Sequence, residues 1–277
     1  MRPPRTPRPR RGIPLRTIVP NAVTALALCS GLFGIRYGID GEWRNAAAAI
    51  ALAAVLDGLD GRIARLLNGA SRFGAELDSL SDVTAFGVAP ALIIYQWVLQ
   101  PLEPGELHSF WTGWGWLFVL AYAACAALRL ARFNANIDAD DQPHKSAGYL
   151  TGVPAPAGAG LLFLPLFLSL ATENDAFRQP WLVAPWAALV AFLMISNLAT
   201  FSWGSVRLRS HVRLGALALI VVVGAALLQK PWPTLSVAAL LYAALIPLSI
   251  YSYAKVKRQR AAAASRAPTP DPAAPSL

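Results

Sequence analysis

Eight stretches of about 20 predominantly apolar residues, at roughly 19–38, 46–67, 74–99, 113–134, 151–172, 181–200, 212–229 and 232–254, occupy most of this chain. A helix of that length crosses a hydrocarbon core of about 30 Å. Lipid offers the backbone no hydrogen-bonding partner, so segments of this kind must satisfy their own peptide groups as helices. Apolar residues make up 56% of the sequence and charged residues 14%, a balance that excludes an ordinary soluble domain. The expected fold is therefore all-α: a polytopic membrane bundle of about eight helices forming one domain over residues 18–254. Residues 1–17, mostly Pro and Arg, and residues 255–277, basic and then rich in Ala and Pro, read as disordered tails.

The net charge of +9 follows the same topology. Sorting the 24 Lys and Arg residues into alternate loops puts twenty on the side of the N-terminus, among them Arg16, Arg62, Arg65, Arg72, Arg129, Arg132, Arg207, Lys255 and Arg258. Only Arg36, Arg44, Arg178 and Lys230 fall on the other side. The positive-inside rule then sets both termini in the cytoplasm, with the chain in a bacterial-type cytoplasmic membrane. Basic residues scattered over alternate loops form no single face, which argues against nucleic acid as a partner. Cys29 and Cys125 both fall within apolar runs and suggest neither a disulfide framework nor a metal site.

One segment breaks the apolar pattern. Asp57, Asp60, Asp78 and Asp82 lie inside the second and third runs, where each unpaired carboxylate costs about 2.5–3.5 kcal/mol on insertion scales. Four such residues mark a functional site. The connection between these two runs falls near Asn68 to Phe73, about 11 residues after Asp57 and about 9 before Asp82, so both carboxylates sit about 15 Å from the turn. Helical spacing puts Asp57, Asp60, Gly61 and Ala64 on one side of the second helix, and Gly74, Asp78 and Asp82 on one side of the third. The small residues permit close helix approach or access for a bulky polar ligand.

Carboxylates without His or Cys make a hard, all-oxygen site suited to Mg²⁺, Mn²⁺ or Ca²⁺ rather than zinc. Four of them can hold two divalent cations, an arrangement that clamps phosphate oxygens. Arg65, one turn nearer the cytoplasm, adds a bidentate phosphate contact. Composition and spacing thus lead to phosphoryl chemistry at the cytoplasmic face. The pieces taken singly have blander readings: interfacial anchors for Arg62 and Arg65, and Asp–Arg salt bridges or a cation path in a transporter. A transporter would need a second charged cluster along the external half-path, and none is evident. The loop from Ala135 to Leu150 carries Asp138, Asp140, Asp141, His144 and Lys145, and reads as a solvated polar connection.

The pattern Asp57-x2-Asp60-Gly61-x2-Ala64-Arg65-x8-Gly74-x3-Asp78-x3-Asp82 resembles the signature of the CDP-alcohol phosphatidyltransferases at every position. The resemblance implies a six-helix membrane core that transfers a phosphatidyl group from a CDP-linked lipid to a small alcohol, using two divalent cations, Mg²⁺ or Mn²⁺. It further implies metal ligation by Asp57, Asp60, Asp78 and Asp82, contacts to the CDP moiety at Gly61, Ala64, Arg65 and Gly74, proton abstraction from the acceptor by Asp82, and a homodimer.

Ser81 to Ala91, Arg129 to Asn134 and Gly152 to Gly158 resemble the serine-accepting branch of that family, whose substrates are CDP-diacylglycerol and L-serine. Pro20-Asn21-Ala-Val-Thr24 and Ser196-Asn197, the latter expected within the sixth helix, look like further family landmarks. Thr84-Ala85 stands where Val-Ser is expected, and Ala155 where Ser is expected. A serine carboxylate needs a cation, so Arg132 is the first candidate for the acceptor pocket, then Arg129, with Asn134 for a further polar contact. Either arginine also suits a positive-inside anchor. A sister enzyme acting on glycerol 3-phosphate, inositol phosphate or choline is the alternative. Choline would want an aromatic cage, but Trp111, Trp114 and Trp116 cluster on the external side as an interface belt.

Overall fold

Helices appear at all eight expected positions in the computed structural model, which describes residues 15–99, 102, 105–135, 149–201 and 210–264. They are α1 (Leu15–Ile39), α2 (Trp43–Leu66), α3 (Arg72–Asp82) continuing through a π-helical turn (Val83–Val88) into α4 (Ala89–Leu99), α5 (Glu106–Ala135), α6 (Ala155–Leu162) with α7 (Leu164–Thr172), α8 (Pro180–Ile195), α9 (Ser210–Gln229) and α10 (Pro231–Ala264). Among the described residues, four helical stretches are long and apolar enough by themselves to cross a membrane, and the α6–α7 pair makes a fifth if counted as one span. The 24-residue α2 is also long enough, about 36 Å, but carries the carboxylates.

Small residues let the first two helices close on each other. Ala46, Ala47 and Ala53 of α2 are fully buried beside Ile50, against α1. A Cβ on Gly31 of α1 would come within 2.8 Å of the Ala85 backbone, so α1 also lies tight against the π turn. The larger core side chains, including Phe86, Trp97, Tyr122, Phe163, Leu166 and Met194, fill the space between α4, α5, α6, α7 and α8.

The run expected as one helix over 151–172 is broken at Phe163, where α6 and α7 meet at 44°. Pro165 has no N–H to give the Leu161 carbonyl. That oxygen instead accepts the Trp186 indole N–H at 2.7 Å, which ties the bend to α8. The run expected over 181–200 is shorter as helix. It stops at Ile195, and Ala199–Phe201 (β2) pairs antiparallel with Tyr149–Thr151 (β1) in a two-stranded ribbon. Gly152, at φ +73°, turns the chain from this ribbon toward α6. Ser196 and Asn197 therefore follow the α8 helix rather than lying in it. The tails are also shorter than expected, since Leu15–Thr17 belong to α1 and α10 runs to Ala264. Residues 1–14, 265–277 and the polar loop with Asp138, Asp140, Asp141, His144 and Lys145 lie outside the described residues.

At the end of the bundle away from the carboxylates, Arg178 joins three segments. Its guanidinium stands 5.4 Å from the Trp43 ring centre and 5.8 Å from that of Trp97, and its Nε donates to the Trp97 carbonyl. Cation–π stacking of this kind is worth about 0.5–2 kcal/mol. Arg178→Ala is expected to lower the thermal midpoint in detergent by about 2–5 °C, measured by intrinsic fluorescence. An unchanged midpoint would mean that the stack contributes nothing to stability.

Candidate active site

The site begins at the α2–α3 corner. Ser71 caps α3 by accepting the Gly74 N–H at 3.0 Å, which fixes where the helix starts and hence where its acidic residues point. Carboxylate oxygens of Asp57, Asp60 and Asp78 then lie within 4.8 Å of one another. Asp82 completes the group, its carboxyl meeting that of Asp57 across the helix pair. The four residues are brought together at one depth, as helical spacing requires.

Asp60 is the most enclosed of them, 5% exposed. The Thr24 hydroxyl of α1 lies 2.6 Å from Asp60 Oδ2 and 3.1 Å from the Pro20 carbonyl, and its single proton serves the charged acceptor. Ser81 donates to the Thr24 carbonyl at 3.3 Å, fastening α3 to the same turn of α1. Asn21 belongs to this clamp too: a Cβ on Gly74 would come within 2.7 Å of Asn21 Oδ1. The Pro20–Thr24 landmark thus forms one wall of the acidic site. Sequence reasoning singled out the landmark but gave it no place there, because the contact joins residues 36 positions apart.

The two glycines beside the carboxylates differ. Gly74 is needed for close packing, whereas a Cβ on Gly61 would meet nothing nearer than Arg65 Nη1 at 3.9 Å. Gly58 faces open space, and Arg65 is exposed. The α2 surface by Gly58, Gly61, Ala64 and Arg65 is therefore an accessible floor. The π turn follows Asp82 directly, with the Ala89 N–H reaching back five residues to the Thr84 carbonyl. The Phe86 carbonyl in this turn accepts the buried Tyr122 hydroxyl at 3.2 Å, which secures the turn against α5.

The donor set fits hard divalent cations. It is all oxygen, its members are close enough to share an ion, and Asp82 Oδ1 is buried with no hydrogen-bond partner among the described residues. Intramembrane salt bridges do not account for the acids. The ion pairs found among the described residues, Arg36–Asp40 and Arg44–Glu173, lie elsewhere. Because a partner that orients a ligand carboxylate typically matters 10–100-fold in metal affinity, Thr24→Val is expected to raise the Mn²⁺ dissociation constant at least about tenfold. Electron paramagnetic resonance titration would measure it, and an unaltered constant would reduce Thr24 to a packing residue.

The residues expected at the acceptor pocket take separate places. Arg132 Nη1 donates to the Ile195 carbonyl at 2.8 Å and to Asn197 Oδ1 at 2.7 Å, and Nη2 donates to the Ser196 carbonyl at 3.2 Å. It clamps the end of α8. Asn134 donates to Ser79 Oγ at 2.9 Å and links α5 to α3. Arg129 acts electrostatically on Asp82, and its Nε is buried without a hydrogen-bond partner among the described residues.

The sequence profile of the CDP-alcohol phosphatidyltransferase family matches residues 17–195, and that of CDP-alcohol phosphatidyltransferase 2 matches residues 211–247. A CDP-diacylglycerol–serine O-phosphatidyltransferase of Mycobacterium leprae is 37% identical over 246 residues, 89% of this chain and 78% of the relative. The protein of that name from Helicobacter pylori is 35% identical over 181 residues, 65% of this chain and 70% of the relative. Its counterpart from Methanocaldococcus jannaschii is 36% identical over 179 residues, 64% and 70% of the two chains.

Proposed function

The chain belongs to the CDP-alcohol phosphatidyltransferase family, and we propose that it is a phosphatidylserine synthase, transferring the phosphatidyl group of CDP-diacylglycerol to the hydroxyl of L-serine with release of CMP. The observation that carries this reading is the convergence of Asp57, Asp60 and Asp78 beside Asp82, whose Oδ1 has no partner among the described residues, in a chain whose relatives are named for that reaction. Residues 18–254 form the catalytic membrane domain in this reading.

Asp57, Asp60, Asp78 and Asp82 would hold two divalent cations, Mg²⁺ or Mn²⁺. Bound there, the cations supply charge neutralisation to the diphosphate. The chain's own residues do the rest. Gly61 and Ala64 let the CDP moiety approach the α2 backbone, Gly74 lets α3 close on Asn21 beside it, and Arg65 reaches the phosphates. Asp82 accepts the proton of the serine hydroxyl as the oxygen attacks the phosphorus that carries diacylglycerol. The new O–P bond forms while the bond from that phosphorus to the bridging oxygen breaks, and CMP departs with that oxygen. Arg129, which acts electrostatically on Asp82 and whose Nε has no partner among the described residues, is the cation for the serine carboxylate. Arg132 and Asn134 then support the pocket by bracing α8 and α3.

The active site and both termini are cytoplasmic in this account, in a bacterial-type cytoplasmic membrane, and the distribution of basic residues over alternate loops supports that sidedness. Family membership supports a homodimer. The test is CMP release by detergent-purified protein from CDP-diacylglycerol with Mg²⁺ or Mn²⁺, comparing L-serine, glycerol 3-phosphate, inositol phosphate and choline. Release that depends on serine is expected. Release with a different acceptor would move the chain to a sister branch and keep the aspartate chemistry.

A further inference from the structure

α10 lies beyond the six-helix core, yet one of its faces is built to dock. Leu235, Ala239, Tyr242, Ala243 and Ile246 recur at helical spacing and are buried or half-buried, packing on α6, α7 and the ribbon, while Leu240, Leu241 and Leu248 are exposed. Tyr242 therefore turns its ring inward. Its hydroxyl is buried and has no hydrogen-bond partner among the described residues.

The surroundings of that hydroxyl are specific. Arg129 of α5 is within electrostatic reach of Asp82 from α3 and of Tyr242 from α10. Asp82 Oδ1, Arg129 Nε and Tyr242 Oη are three of the four buried side-chain polar atoms that lack a partner among the described residues. Their neighbours are engaged: Tyr122, the other phenol acting on Arg129, donates to Phe86, and Arg132 is held by Ile195, Ser196 and Asn197. What remains is two donors, the Arg129 N–H and the Tyr242 O–H, and one acceptor, Asp82 Oδ1, each buried and without a partner among the described residues. A ligand that satisfies all three carries a carboxylate at one end and a hydroxyl or ammonium at the other. Buried polar groups left without partners in this way call for a ligand of complementary pattern.

We propose that Tyr242 of α10 is a specificity-determining residue, donating with Arg129 to the carboxylate of the acceptor while the acceptor hydroxyl meets Asp82. The inference rests on the serine reading given above and makes α10 part of the acceptor pocket. It explains selection against alcohols that lack a carboxylate, because such an alcohol leaves both donors buried and unpaired.

The test compares L-serine with ethanolamine, which is serine without its carboxylate, in wild type and Tyr242→Phe. The phenylalanine keeps the ring packing and removes only the donor. Tyr242→Phe is expected to raise the KM for serine about tenfold, and to lower the serine-over-ethanolamine ratio of kcat/KM by a similar factor. The KM for CDP-diacylglycerol and the thermal midpoint stay at wild-type values. An unchanged serine KM and selectivity, with the wild type active on serine, would overturn the Tyr242 assignment alone. Equal loss toward both acceptors and CDP-diacylglycerol would make Tyr242 a packing residue and also overturn it. A wild type that uses ethanolamine but not serine would remove the serine reading, and the inference with it.

Discussion

Asp82→Asn is expected to lower turnover by about 10³-fold or more while CDP-diacylglycerol binding changes less than about threefold. The asparagine keeps the size of the side chain and so the packing of α3 against the π turn. It cannot take the acceptor proton. General-base residues typically contribute about 10²–10⁴ in rate, and the loss here should lie toward the upper end, because Asp82 is the carboxylate that acts on Arg129. Asp57, Asp60 and Asp78 face one another instead, and Asp60 is further engaged by Thr24. Equilibrium binding of CDP-diacylglycerol and CMP release, measured on the same preparation, separate the two roles of Asp82. Parallel loss of both would make it chiefly a metal ligand and leave the acceptor proton to another group.

Asp60→Asn should be as damaging to turnover, for a different reason, and should be accompanied by a gain in stability without metal. Asp60 is the most buried member of the cluster and has the Thr24 hydroxyl fixing its orientation. An amide in its place preserves that hydrogen bond but removes a charge from the set that would hold the cations, so metal affinity falls steeply. We expect loss of at least one Mn²⁺ per chain by electron paramagnetic resonance and a fall in activity of about 10³-fold that extra metal does not restore. In chelator, however, close carboxylates repel one another, and removing one relieves that repulsion. The chelated variant should therefore melt above the chelated wild type. A variant that melts lower, with metal binding intact, would show that Asp60 serves the fold and not the site.

The acidic site was readable from the sequence because its geometry is local: two helices joined by a short turn bring Asp57, Asp60, Asp78 and Asp82 to one depth whatever the rest of the bundle does. The same holds for the eight helical positions, since lipid forces the backbone into helix wherever the apolar runs occur. What was not readable depended on contacts between distant residues. Thr24 reaches Asp60 from another helix, and Arg132 donates to carbonyls at the end of α8 that the sequence placed inside a helix. The break at Phe163 had a visible cause in Pro165, but whether a proline kinks a helix depends on who takes the freed carbonyl, here Trp186. The π turn after Asp82 has no comparably clear mark. Thr84 and Gly87 lie within it, yet neither residue dictates an i+5 hydrogen bond.

The most direct measurement follows radiolabelled L-serine into chloroform-extractable lipid, alongside CMP release, in one reaction of purified protein with CDP-diacylglycerol and Mn²⁺. One labelled lipid formed per CMP released, with neither product when CDP-diacylglycerol is omitted, is the result this account predicts. CMP release without labelled lipid would mean that water and not serine attacks the phosphorus, and labelled lipid without CMP would mean that the phosphatidyl donor is something other than CDP-diacylglycerol.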